Sequence, residues 1–70
     1  MKRLNEYLDY EKLKIITIDD KEYIGRPISV DYADETESGE DEIDLEDPSG
    51  VDYKFIGFRQ SEIKDIEIVL

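Results

Sequence analysis

The sequence predicts a mainly β domain: a short N-terminal helix, then five short strands strongly bent into a small, partly open barrel. Three observations predict it. β-branched and aromatic residues recur in five separate runs, several alternating strictly with polar residues as half-buried strands do. Polar turn residues separate the runs, as in Asp19-Asp20-Lys21 and Asp47-Pro48-Ser49-Gly50. The second run carries a glycine, Gly25, in its interior, which a strand uses where it bends or bulges.

Taken in order, Leu4, Tyr7 and Leu8 stand at i, i+3 and i+4 and predict an amphipathic helix over about residues 2–11. So short a helix does not persist alone in water, so it must pack on something. Leu13-Lys14-Ile15-Ile16-Thr17-Ile18 predicts a strand over about 13–18, and a second follows over about 22–32. In that strand Ile28, Val30 and Tyr32 alternate with Ser29 and Asp31 and are expected on one face, and Pro27 marks the same irregular spot as Gly25. Residues 33–42 read as an exposed, mobile acidic connection. A third strand is expected over about 42–47. Pro48 and Gly50 then supply a preset φ and a positive φ for a turn. The fourth and fifth strands are expected over about 51–58 and 63–69. Seventy residues make one domain, 1–70, small enough that apolar burial and chain entropy nearly cancel. Assembly with further copies is the available source of extra stability.

The chain has 20 Asp or Glu against 9 Lys or Arg, a net charge of −11, and no His, Cys or Trp. That composition excludes a Ser-His-Asp triad, a thiol nucleophile, a disulfide framework and a zinc finger. The bases and acids of residues 1–30 cancel, as do those of 53–70, so the whole excess lies in residues 31–52. No apolar run approaches the ~20 residues that cross a bilayer, and no secretory signal is visible, so a cytoplasmic protein without a membrane partner is expected. Nothing distinguishes any pair of carboxylates as an acid–base couple, and the four glycines are isolated, so no enzyme activity and no cofactor are expected. Asp34-Glu35-Thr36-Glu37-Ser38-Gly39 copies the first half of a calcium-binding EF-hand loop, but Leu45 stands where the bidentate Glu belongs. No metal site is expected.

The order helix, strand, Asp-Asp-Lys turn, strand with Gly25 resembles the opening motif of the Sm-like family, whose fold is a small SH3-like barrel. Asp31 sits six residues after Gly25, where the family commonly has Asp. Ile43-Asp44-Leu45-Glu46-Asp47 is similar to the family's third strand, and Phe58-Arg59-Gln60-Ser61-Glu62-Ile63 to its second motif. The resemblance implies an RNA site built on Asp31, Tyr32 and Arg59 that takes single-stranded, uridine-rich RNA. It also implies self-assembly, in a ring, through the fourth and fifth strands, with Phe55, Ile56, Phe58, Ile63, Ile66 and Ile68 at or behind the contact. Departures weigh against RNA. Glu42 replaces an expected Asn, Gln60 replaces an expected Gly, and the intervening loop repels phosphate.

The expectation is therefore a non-enzymatic, self-assembling Sm-like module acting in macromolecular interaction, with no DNA partner. RNA binding through Asp31, Tyr32 and Arg59 is the alternative. A basic protein partner for the acidic loop, or mimicry of nucleic acid, is the second. On the blander reading Arg59 pairs with Asp31 or a loop carboxylate. Likewise Tyr7, Tyr10, Tyr23, Tyr32 and Tyr53 are packing rings and not a stacking surface for bases.

Overall fold

A computed structural model describes residues 3–47, 49–51 and 54–70. Five antiparallel strands, β1 (Leu13–Thr17), β2 (Glu22–Asp31), β3 (Glu42–Glu46), β4 (Phe55–Arg59) and β5 (Ile63–Ile68), form one sheet in the order β4-β3-β2-β1-β5. The described strands begin or end within a few residues of the expected limits. The expected start of the fourth at Asp52 and Tyr53, and the turn residue Pro48, lie outside the described residues. Gly50 has the positive φ expected of it, +66°, with its amide donating to the Asp47 carbonyl at 3.0 Å.

The strand β2 belongs to two halves of the sheet. Glu22–Gly25 pair with β1, and from Arg26 onward the partner is β3. Gly25 is thus the last residue of one pairing, where the sheet turns over its own core. The ring centroids of Tyr23 on β2 and Phe58 on β4 lie 5.2 Å apart across that fold. The irregularity in the ladder falls between Pro27 and Ser29, so Ile28 is the extra residue of a bulge. This corrects the expected face: the bulge shifts the phase, so Val30 packs toward the core while Ile28 is exposed, and Tyr32 is exposed because it lies past the end of β2. Alternation is a reliable guide only while the count of residues per partner stays even.

The N-terminal helix is also corrected. Residues Leu4–Tyr7 form a single 3₁₀ turn and not a helix over 2–11. In a 3₁₀ turn residues three apart lie on one side, so Leu4 and Tyr7 are buried together against β2 and β3. Leu8, expected on the same stripe, follows the turn and reaches water. Tyr10, three residues past the turn, packs against the core without extending the helix. The core is completed by Leu13, Ile15, Ile43, Leu45, Phe58, Ile63 and Ile66. At the hairpin between β1 and β2, Asp20 adopts φ +64°, a conformation Asp tolerates. No helix among the described residues is long and apolar enough to cross a membrane.

The two outer strands, β4 and β5, do not pair with each other, so the sheet is open. The 3₁₀ turn Gln60–Glu62 joins them, and the Glu62 carbonyl accepts the Ile18 amide at 3.0 Å.

Candidate functional site

Register places two of the expected RNA-site residues in one row. Asp31 on β2 is the partner of Glu42 on β3, and Glu42 is the partner of Arg59 on β4. Tyr32 follows directly and is 42% exposed. The row therefore places Asp31 and Arg59 on the two strands that flank β3, with the acid Glu42 between them. Arg59 does not pair with Asp31 or with a loop carboxylate. Its Nε donates to Glu62 Oε1 at 3.0 Å, and its backbone amide donates to the same oxygen at 3.1 Å. Both bonds run from Arg59 to the Glu62 carboxylate, which thereby supplies one half of a capping box: the third residue of the turn accepts the amide of the residue that precedes the turn. The hydrogen bond to Glu62 raises the Arg59 pKa above its ordinary value, with the charges of Glu62, Glu40 and Glu42 acting in the same sense. The hydrogen bonds from Arg59 hold the Glu62 carboxyl below the usual carboxylate range.

The acidic loop is exposed but tied. Ala33 donates its amide to Asp41 Oδ1 at 2.9 Å, and the Thr36 hydroxyl donates to the Glu40 carbonyl at 2.8 Å. The Ser38 hydroxyl donates to Glu42 Oε2 at 2.8 Å. Two bonds then stitch the loop to the far turn: Ser61 donates its amide to Glu40 Oε1 at 2.8 Å and its hydroxyl to Glu40 Oε2 at 3.0 Å. The Gln60 amide donates to the Asp41 carbonyl at 3.0 Å. The carboxylates of Glu40, Asp41 and Glu42 thus accept hydrogen bonds from the protein itself. Among the described residues no group of three or more carboxylates is placed to hold a metal ion.

The six expected contact residues divide. Phe58, Ile63 and Ile66 belong to the core of the chain itself, so they can only stand behind a contact. Phe55 is 64% and Ile68 38% exposed on the two outer strands, and Ile56 on β4 is partly buried. Beside β4 opens a cleft of about 370 Å³ lined by Thr17, Ile18, Asp19, Tyr23, Ile56, Gly57, Phe58 and Glu62. Its lining joins residues of β4 to the β1–β2 hairpin and to Glu62. Of the tyrosines, Tyr7 is core, Tyr10 and Tyr23 pack against it, Tyr32 is exposed, and Tyr53 lies outside the described residues.

Sequence reasoning missed Glu62, Glu40 and Ser61. The spacing Arg59-x-x-Glu62 is a capping-box spacing and could have pointed to the first. The Glu40–Ser61 tie joins residues 21 apart and depends on the fold. Comparisons with protein-family models, with curated proteins and with solved structures found no match.

Proposed function

We propose that this protein is a non-enzymatic interaction module of the Sm-like type, its open sheet curled as a partly closed SH3-like barrel, and that it assembles with copies of itself. The observation that carries this reading is the pair of unpaired edges at opposite ends of one sheet. An open edge presents a row of amides and carbonyls, and natural proteins bulge it, charge it, cover it or pair it. Here β4 exposes Phe55 and β5 exposes Ile68, side chains that favour pairing over solvation. Two different edges joined head to tail are a heterologous contact, which closes into a ring when the rotation permits.

Each copy brings a charge of −11, so assembly works against repulsion that salt screens. We expect the mass measured by light scattering to rise from low to high salt at fixed protein concentration. A monomer under both conditions overturns the reading.

RNA binding is the second reading, favoured by the shared row of Asp31 and Arg59 with Tyr32 beside it. Glu42 in the middle of that row and Glu62 on the guanidinium count against it. Uridine-rich RNA titrated in low salt should give no binding. Binding that is lost in Arg59→Ala would reverse the order of the two readings.

A further inference from the structure

The backbone bonds show which residues of the outer strands have an open side. Asp47 donates its amide to the Lys54 carbonyl at 3.2 Å, and Gln60 donates to the Asp41 carbonyl at 3.0 Å. Successive residues of an antiparallel strand turn their backbone groups to alternate sides. Lys54, Ile56, Phe58 and Gln60 therefore address β3, while Phe55, Gly57 and Arg59 address the open side. These three also stand on the outward face, because Ile56 and Phe58 between them pack toward the core. Arg59 has already given its amide to Glu62 Oε1. Phe55 and Gly57 are left with amide and carbonyl both turned to the open side.

A partner strand must match that face. Residues directly opposite each other in an antiparallel pair project to the same side of the sheet. The strand β5 does not match. Its Val69 amide donates to the Lys12 carbonyl at 3.0 Å, so Ile66 and Ile68 hold its open side, and both stand on the core face, opposite Ile15 and Leu13. A second β4 does match, with both cores on one side of the joined sheet. Charge agrees. The strand Phe55–Arg59 holds one base and no acid, whereas β5 holds Asp65 and Glu67 against Lys64. In a chain of net charge −11, β4 is the outer strand that two copies can bring together with less repulsion. Glu42, Asp44 and Glu46 on β3 stay three strand spacings from their copies, about 14 Å, beyond the Debye length of physiological salt.

We infer that β4 pairs with the β4 of a second copy about a two-fold axis, in the antiparallel register that sets each Phe55 opposite the partner's Gly57. This rests on the self-assembly reading and makes its joint isologous at β4, in place of a head-to-tail joint. Each such pair exchanges both of its backbone bonds, and nothing is asked of Arg59. Each Phe55 ring lies over the partner's glycine, the one residue of β4 with no side chain to cover its backbone. A Cβ on Gly57 would stand 2.8 Å from Asp44 Oδ1, so the strand keeps that spot bare. On the core face Ile56 meets the partner's Ile56 at the axis. Ile56 lines the cleft with Tyr23 and exposed Ile18, so the partner's Ile56 extends an apolar wall already present. A slip of two residues one way sets Phe55 opposite Phe55 and carries Gly57 past the partner's Phe55–Arg59. A slip the other way sets Phe55 opposite Arg59, whose amide is spent. One-residue slips put the backbone groups out of phase.

The chain has no cysteine, so a single introduced thiol reports the axis. Opposite residues with no backbone bonds between them lie about 4.5 Å apart at Cα, within disulfide reach. Ile56→Cys, treated with diamide in high salt, should therefore form a covalent dimer at least about tenfold faster than Ile28→Cys, an exposed position on the bulge of β2 that sets the collision rate. Phe55→Cys should stay at the collision rate, because its copy stands two residues out of register, beyond the roughly 7 Å between Cα atoms that a disulfide spans. In the wild-type chain, mixed labelled and unlabelled copies should show an isotope-filtered contact from the Phe55 ring of one to the Gly57 Hα of the other. That measurement holds even if a cysteine variant fails to fold. Folded Ile56→Cys linking only at the collision rate, fast linkage through Phe55→Cys, or no Phe55–Gly57 contact between copies while the mass stays high would each overturn the joint and leave self-assembly standing. A monomer in low and high salt would overturn both.

Discussion

The acidic loop and the β4 edge both face water, yet they are finished to different degrees. The loop holds most of the excess charge, but Thr36, Ser38 and Ser61 donate into it, and Glu40 binds it to the turn after β4. The β4 edge carries little charge, and its outward backbone groups and Phe55 have no strand beside them. The contrast teaches that charge density and binding potential need not coincide. Three of the loop's carboxylates, those of Glu40, Asp41 and Glu42, accept internal hydrogen bonds, whereas the outward backbone groups of β4 have no strand beside them.

A crossed pair of substitutions breaks this comparison if it is mistaken. Phe55→Lys alters the exposed edge, so the chain's own unfolding free energy should change by no more than about 0.5 kcal/mol. Assembly, measured by light scattering in high salt, should be lost. Ser61→Ala removes one hydroxyl bond from the loop tie and keeps the net charge. It should lower unfolding stability by about 0.5 kcal/mol in urea titration and leave the assembled mass unchanged. If Ser61→Ala dissolves the assembly and Phe55→Lys does not, the loop and not the edge is the contact surface.

The same contrast explains what could be read from the sequence. Leu13-Lys14-Ile15-Ile16-Thr17 and Glu42-Ile43-Asp44-Leu45-Glu46 were legible because each buries alternate residues, a local pattern that burial writes directly into the chain. Gly25 marked the turn of the sheet for a similar reason. The bulge at Ile28 was not legible, since it depends on how many residues of β3 oppose β2. The N-terminal stripe overstated its helix, because spacing at Leu4, Tyr7 and Leu8 does not reveal that only two of the three find a surface. Of the candidate site, the sequence indicated Asp31 and Arg59. Their common row and the acid between them emerge only from register.

The smallest expected effect concerns the Arg59–Glu62 pair, which decides whether Arg59 is a structural cap or an available cation. The Glu62 carboxyl is held below its ordinary pKa, so in the native state it stays ionised to lower pH than in the unfolded chain. Its contribution is therefore complete above the unfolded pKa and is lost as pH falls through the folded one. Glu62→Gln keeps an acceptor for the Arg59 amide but removes the charge. In urea titrations the wild-type chain should be slightly the more stable at pH 7, and the two should converge as the pH is lowered through the carboxylate range. The difference should be small, because both side chains are well exposed and salt screens them. A constant difference at every pH would mean that the pair acts only through its hydrogen bonds, and a Glu62→Gln chain that gains RNA binding would show that Glu62 had been withholding Arg59 from the nucleic acid.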